Sequence, residues 1–386
     1  MISPFTINIP DQRLAAIRAK VEAYDWSQLP DAWGWRSGVG IADLKRLVAY
    51  WRDAYDWRKV ERRLNRRPHF TTDVEGERIH FVHVRGDGSR PPVLLLHGWP
   101  GSFLEFEELI PLQTEPGAHG GDPRDAFEVI VPSIPGYGFS DRPRQPGMSN
   151  ARVADLWIAL LDHLGHRRFG LQGGDWGAGI STWAARREPS RVVGLHLNYV
   201  PGSYRPGLAP TSAPLSLAEE AFLESKRRWG EEEGAYQHLQ TTRPQTAGIA
   251  LNDSPAGLAA WIVEKLRGWS DCAGDVERRF SKDQILTHVA LYWFTETIHS
   301  SMRLYLESAR TPLQLGAGER IEPPTAVAVF PREAPSPPRE WVERGYNLQR
   351  WTEMPSGGHF AAMEEPHRLA EDIRTFFRPL RDEVRR

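Results

Sequence analysis

Cysteine is almost absent from this chain, which holds one, Cys272, among 386 residues. A single thiol excludes an internal disulfide and a metal centre built from several cysteines, so we expect Cys272 to be buried and unreactive. Lysine is scarce as well, since only six of the 48 basic residues are lysines and the rest are arginines. This arginine-rich composition indicates a GC-rich, bacterial genome.

The sequence also lacks the features that direct proteins to membranes or to nucleic acids. No apolar stretch approaches the roughly 20 residues that a helix needs to span a bilayer. The N-terminal residues include neither the basic nor the apolar region of a secretory signal. A net charge of -2 gives no basis for binding nucleic acid or an anionic membrane. We therefore expect a soluble, cytoplasmic protein that binds neither nucleic acid nor a membrane.

Strand and helix patterns alternate through the middle of the chain and again near its end. Residues 92–96 form a continuous apolar run, as expected for a strand buried on both faces. Residues 151–164 carry apolar side chains at helical spacing. Further strand patterns lie at 79–84, 127–132, 192–197, 325–330 and 349–352. The alternation predicts an α/β fold with a mostly parallel central sheet and helices on both faces.

Two segments break this alternation. The first 77 residues show amphipathic helical patterns, and residues 201–315 open with a turn-rich stretch and continue with helical patterns. We therefore expect an N-terminal helical extension over 1–77 and a helical cap over 201–315. The cap would be inserted into a core formed by 78–200 and 316–386.

The most informative stretch is 173–178, Gly-Gly-Asp-Trp-Gly-Ala, between an apolar run and a helical pattern. A strand, a tight turn of small residues and a helix are the context of a nucleophile elbow. Serine usually occupies the elbow and attacks acyl carbons, but here the residue is Asp175. A carboxylate attacks an electrophilic sp3 carbon instead, and it leaves an alkyl ester that water can cleave.

Two further candidates follow predicted strands in the order nucleophile, acid, histidine, which is the chain order of α/β-hydrolases. Glu333 comes just after the strand pattern that ends at 330, and His359 follows the last strand, behind two glycines. We expect His359 to act as a general base and Glu333 to fix its tautomer and stabilise the imidazolium. Glu340 and Glu353 lie near enough in sequence to be alternatives for the acid.

A turn after the 92–96 strand supplies a candidate oxyanion hole. Within His97–Gly101 the backbone N–H of Trp99 can point to the oxygen that becomes negatively charged. The N–H of Trp176, the residue after the nucleophile, would be the second donor. Glycine at position 98 lets the backbone approach closely.

These motifs resemble those of epoxide hydrolases of the α/β-hydrolase superfamily, of the microsomal and juvenile-hormone type. The similarity extends over nearly the whole chain, including the N-terminal extension, but the membrane anchor of the animal microsomal enzymes is missing. We therefore expect a soluble bacterial member with the α/β-hydrolase fold. The segments that carry the resemblance are 97–103, 173–177, 251–260 and 357–362.

The resemblance implies that an epoxide is converted to a vicinal diol, without a cofactor or a metal ion. The substrate would form an ester with Asp175, and water activated by His359 would hydrolyse it. In the family two cap tyrosines hold the epoxide oxygen, and the matching segments place them at Tyr236 and Tyr305. The same comparison places the acid at Glu333. A phenol fits this role chemically because it donates a proton to the opening oxygen while it stays neutral at pH 7.

Two alternatives stay open. A haloalkane or haloacid dehalogenase shares the Asp–His chemistry but needs halide-binding donors in place of two phenols. A non-catalytic ligand-binding protein could be built on the same fold. A metal site at His163 and His166, which flank a predicted helix end, is not expected.

The expected partners are a small epoxide and water. Fifteen tryptophans indicate a large aromatic surface in a pocket and favour an aryl epoxide. The resemblance adds a role in secondary metabolism, such as enediyne antibiotic biosynthesis, as one hypothesis. The sequence leaves open whether the protein forms a homodimer.

Overall fold

The structure is a computed structural model. It describes residues 1–27, 29–31, 33–86, 90–209 and 212–380.

Nine strands within these residues form one sheet. They are β1 Ser3–Phe5, β2 His69–Val74, β3 Glu77–Val84, β4 Val93–Leu96, β5 Val129–Pro132, β6 Phe169–Gly173, β7 Val192–Leu197, β8 Ile321–Val329 and β9 Tyr346–Glu353. Their order across the sheet is β1-β2-β3-β5-β4-β6-β7-β8-β9. The six strands from β5 to β9 in that order are parallel, and β1, β2 and β3 form an antiparallel edge. The mostly parallel α/β sheet predicted from the sequence is thus confirmed.

Apolar runs explain the position of the central strands. Every residue of β4 and of β5 is buried, as continuous apolar strands between two helical layers require. Because the carboxyl ends of parallel strands meet at one edge of a sheet, the loops that follow β4, β6, β8 and β9 come together there.

Fifteen α-helices lie within the described ranges. They are α1 Asp11–Glu22, α2 Ile41–Asp53, α3 Trp57–Leu64, α4 Leu109–Thr114, α5 Asn150–Leu164, α6 Asp175–Arg187, α7 Leu217–Glu232, α8 Ala235–Thr242, α9 Pro244–Asp253, α10 Pro255–Trp269, α11 Lys282–Thr295, α12 Ile298–Ser308, α13 Arg339–Glu343, α14 Ala361–Glu364 and α15 Pro366–Leu380. Helix α6 packs on α5 and on the central strands, while α15 packs on α4 and on the sheet. None of the helices in these ranges is long and apolar enough to cross a bilayer.

The N-terminal segment is not wholly helical, contrary to the sequence prediction. Residues 3–5 and 69–74 form β1 and β2, which extend the sheet beyond β3. The segment His69–Val74 contains the aromatic and β-branched residues that favour strands, but its pairing with β3 joins it to the core rather than to the helices. Helices α1 and α2 pack on the cap helices α10 and α11.

The helices α7 to α12 form the cap. The cap is held on the loops that follow β4 and β5 by hydrogen bonds. Tyr292 Oη donates to the Gly101 carbonyl oxygen at 2.7 Å, and Ser300 Oγ donates to the Gly136 carbonyl oxygen at 2.6 Å. These contacts hold α11 and α12 above the carboxyl ends of the strands. The single cysteine, Cys272, is buried, as the sequence predicted.

Candidate active site

Asp175 lies at the sharp turn between β6 and α6. Its backbone has a positive φ of 46°, which is unusual for a residue other than glycine and projects the side chain away from the sheet. The turn fits closely against the loop after β4, because a Cβ at Gly98 would overlap the Asp175 carboxylate. A Cβ at Gly177 would overlap the backbone of Leu96. Small residues are therefore needed at both positions for strand, turn and helix to fit together.

His359 and Glu333 lie beside the elbow that carries Asp175. His359 Nδ1 lies 2.6 Å from Glu333 Oε1, and His359 Nε2 lies 3.4 Å from Asp175 Oδ2. Both side chains are buried. Of the two alternative acids, Glu340 accepts a hydrogen bond from Ser216 at the surface, and Glu353 is exposed. Geometry therefore favours Glu333 as the partner of His359.

The charge on His359 is stabilised by its two carboxylate neighbours. Burial opposes the imidazolium form, but the charges of Glu333 and Asp175 outweigh burial and raise the pKa of His359 well above its ordinary value. Before any reaction, the two carboxylates thus favour the imidazolium form of His359.

One of the two proposed oxyanion donors already contacts Asp175. The backbone N–H of Trp99 donates to Asp175 Oδ1 at 2.8 Å. Trp176 is the second residue of α6, so its N–H is among those at a helix start that have no acceptor within the helix. Its role as the second donor stays a prediction.

The two cap tyrosines face each other above Asp175. Tyr236 lies on α8 and Tyr305 on α12, with ring centroids 5.9 Å apart and nearly perpendicular planes. Tyr236 stacks on Trp99, and Tyr305 contacts Trp176 edge-on. Burial raises the pKa of both phenols well above their ordinary value, and the charge of Asp175 adds to the effect. Both hydroxyls therefore stay protonated and able to donate.

A cavity of about 200 Å³ joins the tyrosines to the nucleophile. Its wall includes Asp175, Tyr236 and Tyr305, together with seven further aromatic side chains. These are Trp176, Trp183, Tyr199, Tyr204, Phe222, Trp229 and Trp341. The aromatic pocket expected from the tryptophan content is thus present next to Asp175.

Glu105 is a site residue that the sequence analysis missed. A second, very small cavity of about 10 Å³ lies between Gly98, Glu105, Asp175 and His359. That space is about enough for one water molecule. Burial raises the pKa of Glu105 to about 7; His359 opposes the rise and Asp175 adds to it. The sequence gave little indication of this role, because the position of Glu105, eight residues after His97, does not reveal that the side chain is buried beside the active site.

This arrangement defines an α/β-hydrolase that has an aspartate at the elbow and a helical cap. Comparisons with known proteins agree. The family described as epoxide hydrolase N terminus matches residues 2–106, and the family described as alpha/beta hydrolase fold matches residues 91–232. The chain is 38% identical to epoxide hydrolase 1 of Sus scrofa over 405 residues, covering 97% of this chain and 88% of the relative.

Two further proteins are similar over most of their length. Juvenile hormone epoxide hydrolase 1 of Ctenocephalides felis is 37% identical over 97% of this chain and 85% of its own. The crystal structure of juvenile hormone epoxide hydrolase from Bombyx mori superimposes with a TM-score of 0.86 at 31% identity, covering 100% of this chain and 96% of that one. The chain belongs to the epoxide hydrolase family, and it is a hydrolytic enzyme that acts on epoxides. The alternative of a non-catalytic binding protein was wrong.

Proposed function

We propose that this enzyme opens an epoxide through an ester on Asp175 and then hydrolyses that ester to release a vicinal diol. The observation that carries the proposal is that Asp175 lies between two different cavities. On one side lies the aromatic cavity with Tyr236 and Tyr305, and on the other lies the small cavity with His359. We assign one half-reaction to each cavity.

The first half-reaction takes place in the aromatic cavity. The Trp99 N–H holds Oδ1 of Asp175, which leaves Oδ2 as the attacking oxygen. A C–O bond forms between Oδ2 and an epoxide carbon, and the bond between that carbon and the ring oxygen breaks. The oxygen takes a proton from Tyr236 or Tyr305, which line the same cavity as Asp175, and that tyrosine becomes a phenolate. The product is a hydroxyalkyl ester of Asp175.

The second half-reaction uses a water molecule in the small cavity. His359 Nε2 takes a proton from the water, and the resulting hydroxide attacks Cγ of Asp175. Glu333 stabilises the imidazolium that forms. Negative charge develops on Oδ1, where the N–H of Trp99 and, as proposed, that of Trp176 stabilise it. Collapse breaks the bond between Cγ and the substrate oxygen, and the imidazolium of His359 gives its proton to that oxygen, so the diol leaves. Asp175 keeps one oxygen from water, and the proton of its new carboxyl group replaces the one that the tyrosine gave up.

The substrate class follows from the wall of the larger cavity. Aromatic side chains there offer flat apolar contact surfaces, and aryl rings pack on such surfaces edge-on or offset. We therefore propose an aryl epoxide as the substrate. A role in secondary metabolism such as enediyne biosynthesis, a cytoplasmic location and a homodimer stay predictions.

The decisive experiment is a single turnover of styrene oxide by excess enzyme in 18O-labelled water. We expect an unlabelled first diol, because its new oxygen comes from the Asp175 carboxylate. After many turnovers the label should appear in the peptide that contains Asp175. Direct entry of label into the first diol would contradict the ester mechanism. Halide release from chloroalkanes, with styrene oxide left unchanged, would favour the dehalogenase alternative.

A further inference from the structure

Three side chains place metal-binding atoms together at another site. His83 lies in β3, Glu128 directly precedes β5, and His166 follows α5. His83 Nε2 lies 2.6 Å from Glu128 Oε1, and His166 Nε2 lies 3.4 Å from the same oxygen. One ligand atom from each residue lies within 4.8 Å of the other two. We refer to these residues as the His–Glu–His cluster.

The cluster lies at the opposite end of the sheet from the catalytic residues. Strand β6 runs from just after His166 to just before Asp175, so the two sites are separated by the length of the strand. Five residues of strand span about 17 Å. The cluster therefore takes no part in the proposed reaction.

Backbone structure holds the three residues in place. Strands β3 and β5 pair beside the cluster, with His83 opposite Ile130. Helix α5 ends at Gly165 in the left-handed conformation, and the N–H of His166 donates back to the Leu161 carbonyl at 2.9 Å. Arg191 donates to the carbonyl of His166 at 3.1 Å. A ligand that bound here would thus meet a largely preformed site.

The distances fit a tetrahedral ion of the size of zinc. Bonds of 2.0–2.2 Å at tetrahedral angles place ligand atoms roughly 3.4 Å apart. His166 Nε2 already lies 3.4 Å from Glu128 Oε1. His83 Nε2 lies 2.6 Å from the same oxygen, so these two atoms would move apart by roughly 0.8 Å when the ion replaces the proton of their hydrogen bond. The side chain of His166 is 20% exposed, which gives an ion access from solvent.

We propose that His83, Glu128 and His166 bind one divalent ion of the zinc type, with water in the fourth position. Two imidazoles and one carboxylate are a known ligand set for zinc. An ion here would join β3, β5 and the start of β6, so its expected role is to stabilise the fold.

The sequence analysis expected no metal site at His163 and His166. His163 is exposed and is not one of the three residues of the His–Glu–His cluster, whereas His166 meets two residues that are distant in sequence. His163 therefore offers a matched control for His166.

The test uses full-length, untagged enzyme that has been treated with a chelator and desalted. Zinc chloride is added, and bound zinc is measured by calorimetry and by elemental analysis after gel filtration. We expect one zinc per chain and a rise of about 2–5 °C in Tm. The His166→Ala and Glu128→Gln variants should bind at least 10-fold more weakly, while His163→Ala should bind like the wild type. X-ray absorption should show nitrogen and oxygen neighbours at about 2.0–2.2 Å.

Two outcomes would overturn the proposal. Folded wild-type enzyme that retains no zinc would show that the cluster is only a hydrogen-bonded group. Equal zinc binding by wild type and His166→Ala, accompanied by inhibition of turnover, would place the ion at His359 instead. Circular dichroism of each variant shows whether the variant is folded before its affinity is compared.

Discussion

At the scale of single residues, we propose that the tyrosine pair determines which leaving group the site accepts. Tyr236 and Tyr305 are both buried, both held protonated and both next to Asp175. Two neutral donors can hold one oxygen from two directions and give it a proton, whereas a halide needs no proton. The tyrosine pair thus favours an epoxide oxygen over a halide.

Replacement of these hydroxyls should slow the first half-reaction. We expect Tyr236→Phe or Tyr305→Phe to lower the rate of ester formation by about 10- to 100-fold, and the double variant by more than 100-fold. Stopped-flow tryptophan fluorescence can follow the step, since Trp99 and Trp176 contact the tyrosines. Tyr346→Phe is the control, because this buried tyrosine lies outside the cavity wall. A double variant with the wild-type rate would show that other groups hold the oxygen.

At the scale of elements, the loop after β4 contributes more to the site than any other segment. Within ten residues it supplies Gly98, which makes room for Asp175, and the N–H of Trp99. It also supplies Glu105, which lines the small cavity beside His359. Because Gly98, Trp99 and Glu105 belong to one loop, the distances of the Trp99 N–H and of the Glu105 side chain from Asp175 are set together.

Glu105 is expected to position the water of the second half-reaction. We predict that Glu105→Gln slows ester hydrolysis by about 10- to 100-fold, because a displaced water attacks less efficiently. Ester formation should change by less than about twofold, so that the ester accumulates and can be detected by mass spectrometry of the intact protein. Glu108→Gln is the control, since Glu108 is exposed on the same segment. Equal slowing of both half-reactions would indicate general damage to the fold instead.

Short-range patterns made the elbow and the histidine loop predictable from the sequence. The small residues around Asp175 and the glycines before His359 are local requirements of the turns that carry them. Glu105 and the strand pairing of His69–Val74 depend on contacts between distant segments, which one sequence does not display. The same limit applies to His166, whose neighbours in space are His83 and Glu128.

At the scale of the whole molecule, the proposed first half-reaction removes the negative charge of Asp175 and so changes the pKa of His359 for the second half-reaction. In the resting site two carboxylates raise the pKa of His359. When Asp175 becomes an ester, its negative charge disappears and only Glu333 still favours the imidazolium. The pKa of His359 therefore falls after ester formation, and the neutral base that hydrolysis needs becomes available.

The two half-reactions should consequently differ in their dependence on pH. We expect ester hydrolysis to slow by about tenfold per unit of pH once the pH falls below the pKa of His359 in the ester. Ester formation should stay nearly constant over the same range, because the raised pKa of both tyrosines keeps their hydroxyls protonated. Single-turnover rates measured from about pH 5 to pH 9 separate the two steps. Hydrolysis that is independent of pH, together with ester formation that declines in acid, would reverse the assigned roles.

The N-terminal segment has a consequence for how substrate reaches this site. Its strands belong to the sheet, while Arg13 on α1 donates to the carbonyls of Trp293 and Phe294 in the last turn of α11. Tyr50 on α2 donates to Asp283 at the start of the same helix. The N-terminal segment therefore links the cap to the sheet through hydrogen bonds at both ends of α11. A swing of the whole cap would break these bonds, so we expect substrate and diol to pass through a gap between side chains while the cap stays in place.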